Sequence, residues 1–80
     1  MIERNATATY TSKDQNWQEH QTIYWFDVED DEGELEIFGI CEDDMGARPL
    51  DEDGCPIDYN ELLASRVMDN CIVTDEMRSE

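Results

Sequence analysis

The sequence predicts a small α+β domain in which an antiparallel sheet of three to four strands carries one helix packed on one face. Its 80 residues suffice for one domain with a modest core. The aromatic and aliphatic content, 39% hydrophobic with two Trp and three Tyr, exceeds that of a disordered acidic tail. Strand-like runs precede a single helical stretch, an order typical of α+β folds. We therefore treat residues 1–80 as one acidic domain with a flexible tail at about residues 75–80.

Three segments in the first half of the chain are predicted to be strands. Residues 6–11 alternate small and β-favouring side chains and indicate an edge strand, after which the polar residues 12–21 form a connection. Residues 22–28, Thr-Ile-Tyr-Trp-Phe-Asp-Val, give the strongest strand signal, and residues 34–41 are the expected partner strand.

The register of that hairpin follows from the length of its loop. A four-residue loop at 30–33, with Gly33 at positive φ, predicts the pairs Val28 with Leu35, Phe26 with Ile37 and Tyr24 with Gly39. One face then holds Tyr24, Phe26, Val28, Leu35 and Ile37. The other holds a ladder of carboxylates, Asp27, Glu29, Glu34 and Glu36, beyond an apolar patch of Ile23, Trp25, Phe38 and Ile40. A slip of one residue would mix the two sets.

The second half of the chain is predicted to contain a long acidic loop and the helix. Residues 42–57 have Gly, Pro and two acidic triplets but no periodicity, so they indicate a long loop, in which a short extended piece remains an option. Asp58 and Glu61 form a candidate capping box, and helical spacing follows it. Residues 71–74 are a candidate short strand before the polar tail.

The distribution of charge is the main indication of function. Of 22 acidic residues, 15 lie between positions 27 and 61, where Arg48 is the one base, so this stretch carries −14 and the other 45 residues only −3. Like charges destabilise a compact state, so the clustering suggests a basic partner surface of the kind that binds phosphates. The predicted contact residues are the carboxylates Asp27, Glu29, Asp30, Asp31, Glu32, Glu34, Glu36, Glu42, Asp43, Asp44, Asp51, Glu52 and Asp53, with Trp25 and Phe38 as apolar anchors.

Two alternatives accompany this interpretation. The acidic face is also compatible with a purely solvating role, as in a haloadapted structural or interaction protein, although a haloadapted surface would spread its charge more evenly. The patch of Ile23, Trp25, Phe38 and Ile40 is either covered by the N-terminal segment with Tyr10 and Trp17 or exposed as a binding anchor.

The motifs argue against a metal, a cofactor or catalysis. Residues 51–54, Asp-Glu-Asp-Gly, match part of a calcium loop, but Pro49 and Asn60 stand where its first and last ligands belong. Cys41, Cys55, Cys71 and His20 lack the close pairing of structural zinc ligands, and we expect the thiols to be reduced, with Cys41 and Cys71 buried and Cys55 exposed. No nucleophile, general acid or phosphate loop is assembled.

In size and charge the whole chain resembles the small acidic proteins that phages and mobile elements use as DNA mimics, such as anti-restriction and anti-CRISPR inhibitors. Those proteins share no motif, so the resemblance assigns no residue. It implies a partner that is a basic nucleic-acid-binding protein, such as a CRISPR effector or restriction enzyme. We expect a cytoplasmic monomer or homodimer that binds neither nucleic acid nor membrane, because the charge is negative and the first five residues show no basic leader.

Overall fold

The computed structural model describes residues 6–80. The expectation that the chain has no leader concerns residues 1–5, which lie outside the described residues. The elements in order are β1 (Thr7–Asn16), β2 (Gln21–Glu29), β3 (Leu35–Asp43), β4 (Gly46–Leu50), α1 (Leu62–Asn70) and α2 (Asp75–Ser79). The four strands form one antiparallel meander in the order β1-β2-β3-β4. The predicted α+β fold, with a helix packed against a small antiparallel sheet, is confirmed.

Two polar segments that were predicted to be irregular contain strand residues. Residues 12–16 continue β1 past a bulge between Tyr10 and Ser12 and pair with the first half of β2. Residues 42–57 are not one long loop, because β3 runs on to Asp43 and β4 returns beside it. β4, Gly46–Leu50, is the short extended piece that the sequence left open. Gly46, at φ +118°, takes the positive φ of the intervening turn. In both places a neighbouring strand satisfies the backbone, which polar side chains do not reveal in sequence.

The register of the β2–β3 hairpin differs by one residue from the prediction, which was wrong. Val28 lies opposite Glu36 and Phe26 opposite Phe38. Glu29 pairs with Leu35, so the loop has five residues. Within it the Asp30 amide donates to the Glu34 carbonyl at 3.1 Å, and Gly33 occupies φ +83°. This is a type I turn followed by a left-handed bulge residue. The shift places Phe38 in the core, where Leu35 and Ile37 were predicted.

The core lies between the sheet and α1. Its buried members are Tyr24, Phe26, Val28, Phe38, Ile40, Ile57, Ala64, Val67 and Cys71. The prediction that the helix covers the Tyr24, Phe26 and Val28 side of β2 is confirmed. Leu35 and Ile37, predicted to share that side, are instead 67% and 46% exposed on the other face.

The outer face of the sheet holds a smaller apolar patch around Trp25. Trp25 lies opposite Gly39, where an added Cβ would come within 3.0 Å of the indole ring. The indole therefore needs glycine on the facing strand. Its Nε1 donates to the Asp14 carboxylate at 3.0 Å, and Leu50 and Cys41 are buried nearby in β4 and β3.

The C-terminal third differs from the prediction in three details. Glu61 occupies the N-cap of α1 without a side-chain cap bond, while Asp58 accepts from the Asn60 amide in the preceding turn, so the predicted capping box is wrong. Residues 71–74 form no strand, and the expected flexible tail forms α2, whose N-cap Thr74 accepts from the Met77 amide. Within residues 6–80 no helix is long and apolar enough to cross a membrane.

Candidate partner-binding surface

Two acidic turns of the same geometry carry much of the exposed negative charge. The Asp30 Oδ1 atom accepts from the amides of Glu32 and Glu34 at 2.9 and 3.0 Å. Asp51 Oδ1 accepts from the amides of residues 53 and 55, both at 2.9 Å. Each turn ends in a glycine at positive φ, +83° and +82°. Asp30 and Asp51, the first residues of the acidic triplets 30–32 and 51–53, therefore hold the two turns together.

The remaining carboxylates of the two triplets project into solvent. They are Asp31, Glu32, Glu52 and Asp53, all exposed. Because their carboxylates are free of the turn bonds and no basic residue occurs within either turn, these four side chains are available to an external cation.

Both turns lie toward the same end of the sheet. β4 ends at Leu50 opposite Gly39, halfway along β3, so the second turn lies beside the first half of β3. Asp51 and Glu52 line one groove together with Leu35 and Glu36. We call this region the acidic end: the turns at residues 30–34 and 51–55 with Asp27, Glu29 and Glu36.

The predicted carboxylate ladder does not form, because the register moved. Asp27 lies between Thr9 and Ile37, and Glu29 lies between Thr7 and Leu35. Glu36 is half-buried on the helix side, opposite Val28. Like charges therefore do not face each other across the strands, where they would be mutually destabilising.

Two predicted contact residues, Glu42 and Asp43, are paired within the protein at the other end of β3. Arg78 donates from Nε and Nη2 to the two carboxylate oxygens of Glu42, at 3.0 and 2.8 Å. These bonds raise the pKa of Arg78. Arg48 is paired with Asp43, and the side chains of Glu42 and Asp43 are only 24% and 15% exposed. Their prediction as phosphate substitutes is not supported.

We call this second region, formed by Glu42, Asp43, Arg48 and Arg78, the paired end. It also holds α2 in place, because Lys13 Nζ donates to the carbonyl oxygens of Met77 and Glu80 at 3.1 and 2.6 Å. Arg78 further donates to Asp75 at 2.8 Å. Asp44 is exposed here, and the length of β3, nine residues at ~3.4 Å each, separates it from the acidic end.

The two predicted apolar anchors, Trp25 and Phe38, lie on opposite faces of the sheet. Phe38 is 5% exposed and belongs to the core, so its predicted position on the acidic face was wrong. Trp25 remains on the outer face but is half-buried, like Ile23. Trp17, at 77% exposed, does not cover this patch. Among the described residues, Leu35 and Ile37 are apolar side chains exposed beside the acidic turns, and sequence reasoning missed them because it assigned them to the core.

The chemistry of the remaining groups is limited. Carboxylate oxygens of Asp30, Glu32 and Glu34 lie within 4.8 Å of one another, and oxygen donors of this kind suit Ca²⁺ or Mg²⁺. Asp30 already accepts two amide bonds. Cys41 and Cys71 are buried and Cys55 is exposed, as predicted. Burial raises the pKa of Cys71 to about 12 and also raises that of Cys41, so both thiols stay protonated and unreactive at neutral pH.

Comparison with known proteins gives no assignment: no family model, no curated protein and no solved structure matches this chain.

Proposed function

We propose that this protein is an acidic DNA mimic that inhibits a partner by occupying its basic nucleic-acid-binding groove. The class we infer is a phage or mobile-element anti-defence protein of the anti-CRISPR or anti-restriction type, acting in the cytoplasm on a CRISPR effector, a restriction enzyme or a similar protein. The observation that carries the proposal is the pair of acidic turns, which display Asp31, Glu32, Glu52 and Asp53 at one end of the sheet with no base among them.

The charge density of this end supports the proposal. A groove that binds duplex DNA is built to meet closely spaced negative charges, one per ~1.7 Å of helix axis when both strands are counted. At this end of the sheet, carboxylate oxygens of Glu32 and Glu34 lie within 4.8 Å of each other and of Asp30, and Asp31, Glu52 and Asp53 are exposed as well. A groove whose Lys and Arg side chains meet phosphates would therefore meet a concentration of negative charge on this surface.

The structure of the turns also supports rigid presentation of the charge. Because Asp30 and Asp51 each accept two backbone amides, the backbone that carries the exposed carboxylates is fixed before binding. Preorganisation lowers the entropy lost on association. The exposed apolar side chains of Leu35 and Ile37 give the same end contacts that salt does not screen.

The test is capture on immobilised protein with matched charge variants. The variant Asp31→Lys/Glu32→Lys/Glu52→Lys/Asp53→Lys reverses the exposed charges of the acidic end. The control Glu19→Lys/Asp69→Lys/Asp44→Lys/Glu76→Lys makes the same change in net charge at exposed positions elsewhere.

We expect wild type and control to retain the same nucleic-acid-binding protein from a lysate of the host, and a DNA duplex to elute it. The acidic-end variant should retain at least ~10-fold less, a loss of about 1.4 kcal/mol or more in binding, with an unchanged circular dichroism spectrum. Equal losses in the two variants would show that net charge alone drives retention and would overturn the proposal.

A further inference from the structure

β3 has an open backbone edge along its first half. β4 pairs only with residues 39–43 of β3, and no other strand in residues 6–80 pairs with Leu35 to Phe38 on that side. Hydrogen-bonded and non-bonded pairs alternate along an antiparallel ladder. Asp30 and Glu34 form a hydrogen-bonded pair. The next bonded pair along the ladder is therefore Val28 with Glu36, so Glu36 directs its N–H and C=O to β2. The backbone groups of Leu35 and Ile37 therefore point to the open side.

An apolar groove of about 560 Å³ runs along this edge. Its apolar walls come from Leu35, Ile37 and Phe38 of β3 and from Leu62 and Leu63 of α1. Leu62 is 61% exposed, so the helix side of the groove presents an uncovered leucine to the open strand. An open strand edge beside apolar pockets is the arrangement used for strand addition, in which backbone bonds give affinity and alternate side chains enter pockets.

The charge of the groove selects its occupant. Glu36, Asp51, Glu52 and Glu61 line it, and among residues 6–80 no Lys or Arg does. A second copy of this chain, with a net charge of −17, would be repelled by these carboxylates. A segment rich in Lys and Arg would be attracted. The outer edge of β1 lacks this combination, because it is interrupted by the bulge near Tyr10 and is mostly polar.

We propose that this groove binds an extended basic segment of a partner protein, which adds as a strand to β3 at Leu35 and Ile37. Four residues of β3 offer an edge of about 13 Å, so the bound core is a segment of about that length that alternates apolar residues with Lys or Arg. The inference goes beyond mimicry, because phosphates cannot pair with a strand backbone, and it does not depend on whether the partner binds nucleic acid.

The probe is the synthetic peptide Lys-Val-Arg-Val-Lys-Val, capped at both ends. Amide exchange followed by NMR contains its own control, because the Glu36 and Phe38 amides already face β2. The expected result is that saturating peptide slows exchange at Leu35 and Ile37 by at least ~10-fold, while Glu36 and Phe38 change little. The same peptide methylated at alternate backbone nitrogens, on the edge that meets β3, should bind at least ~10-fold more weakly at equal charge.

Variants of the protein separate the groove from general attraction. Leu62→Ser removes an exposed wall residue, and Ile72→Ser is its match, since Ile72 is 58% exposed and does not line the groove. The first should weaken peptide binding and the second should not. Equal binding of the methylated peptide, or protection that is absent at Leu35 and Ile37, would overturn the proposal. Because the assay contains no nucleic-acid-binding partner, its failure would leave the test of mimicry unaffected, and the reverse also holds.

Discussion

The acidic end and the paired end of the sheet have similar sequences but use their carboxylates differently. At the paired end, Glu42 and Asp43 are held by Arg78 and Arg48 and are largely covered. At the acidic end, Asp30 and Asp51 bind backbone amides, and the side chains that follow them remain exposed. An acidic run therefore contains three kinds of carboxylate, those that form turns, those in ion pairs and those facing solvent, and only the third kind is available to a partner.

The largest expected effect tests the register on which this comparison depends. Phe38→Ala should lower the free energy of unfolding by ~3–5 kcal/mol, as for a buried phenylalanine, because Phe38 lies in the core. Leu35→Ala should change it by less than ~0.5 kcal/mol, because Leu35 is 67% exposed. Urea denaturation of both variants measures the two values. The reverse order would restore the four-residue loop and place Leu35 in the core.

The next effect separates carboxylates that build the turns from those that face solvent. Asp30→Ala removes the acceptor of two amide bonds and should destabilise by ~1–2 kcal/mol. Asp30→Asn keeps an acceptor oxygen and should recover most of that loss. Asp31→Ala, one residue on, should be neutral or slightly stabilising because it relieves repulsion. Thermal melts decide the matter: a cost at Asp31 equal to that at Asp30 would remove the distinction between the two positions.

The smallest effect is the dependence of stability on salt. The Debye length falls from about 30 Å at 0.01 M to about 10 Å at 0.1 M, so added salt should screen repulsion at the acidic end and raise the melting temperature. Asp31→Lys/Glu32→Lys should flatten this dependence. Arg78→Gln, which leaves Glu42 and Asp75 unpaired, should steepen it.

The same titration addresses the haloadapted alternative. A DNA mimic should be folded at 0.01 M salt and bind its partner most tightly there. Its carboxylates displace counterions from the basic groove of the partner, and added salt opposes that displacement. A domain that unfolds at that ionic strength would favour the haloadapted interpretation and contradict ours.

The sequence predicted the elements with strong local signals. The Thr-Ile-Tyr-Trp-Phe run identified β2, and the helix was expected on the correct face of that strand. The register failed because the loop length depends on the Asp30 side chain, which closes a five-residue turn. One signal was present: Asp followed by two acidic residues and Gly occurs at both 30–33 and 51–54, and Asp at the first and Gly at the fourth position favour a type I turn.

The candidate site was predicted only in part, for a different reason. Composition located the acidic stretch, but the ion pair of Glu42 joins residues 36 positions apart in sequence, and no local pattern reveals such a pair. The register decides that Leu35 and Ile37 are exposed and that Phe38 is buried. Because the register was predicted incorrectly, these three residues were assigned to the wrong faces of the sheet. The open edge of β3 depends on where β4 ends, which the predicted long loop concealed.

The most direct test of the central claim is competition on a purified partner. If the acidic end substitutes for phosphates, the protein and a DNA or RNA ligand exclude each other, so the apparent dissociation constant for this protein should rise in proportion to the nucleic-acid concentration. Electrophoretic mobility shift then shows only binary complexes. A supershifted ternary complex of partner, nucleic acid and this protein would contradict mimicry and indicate inhibition at a separate site.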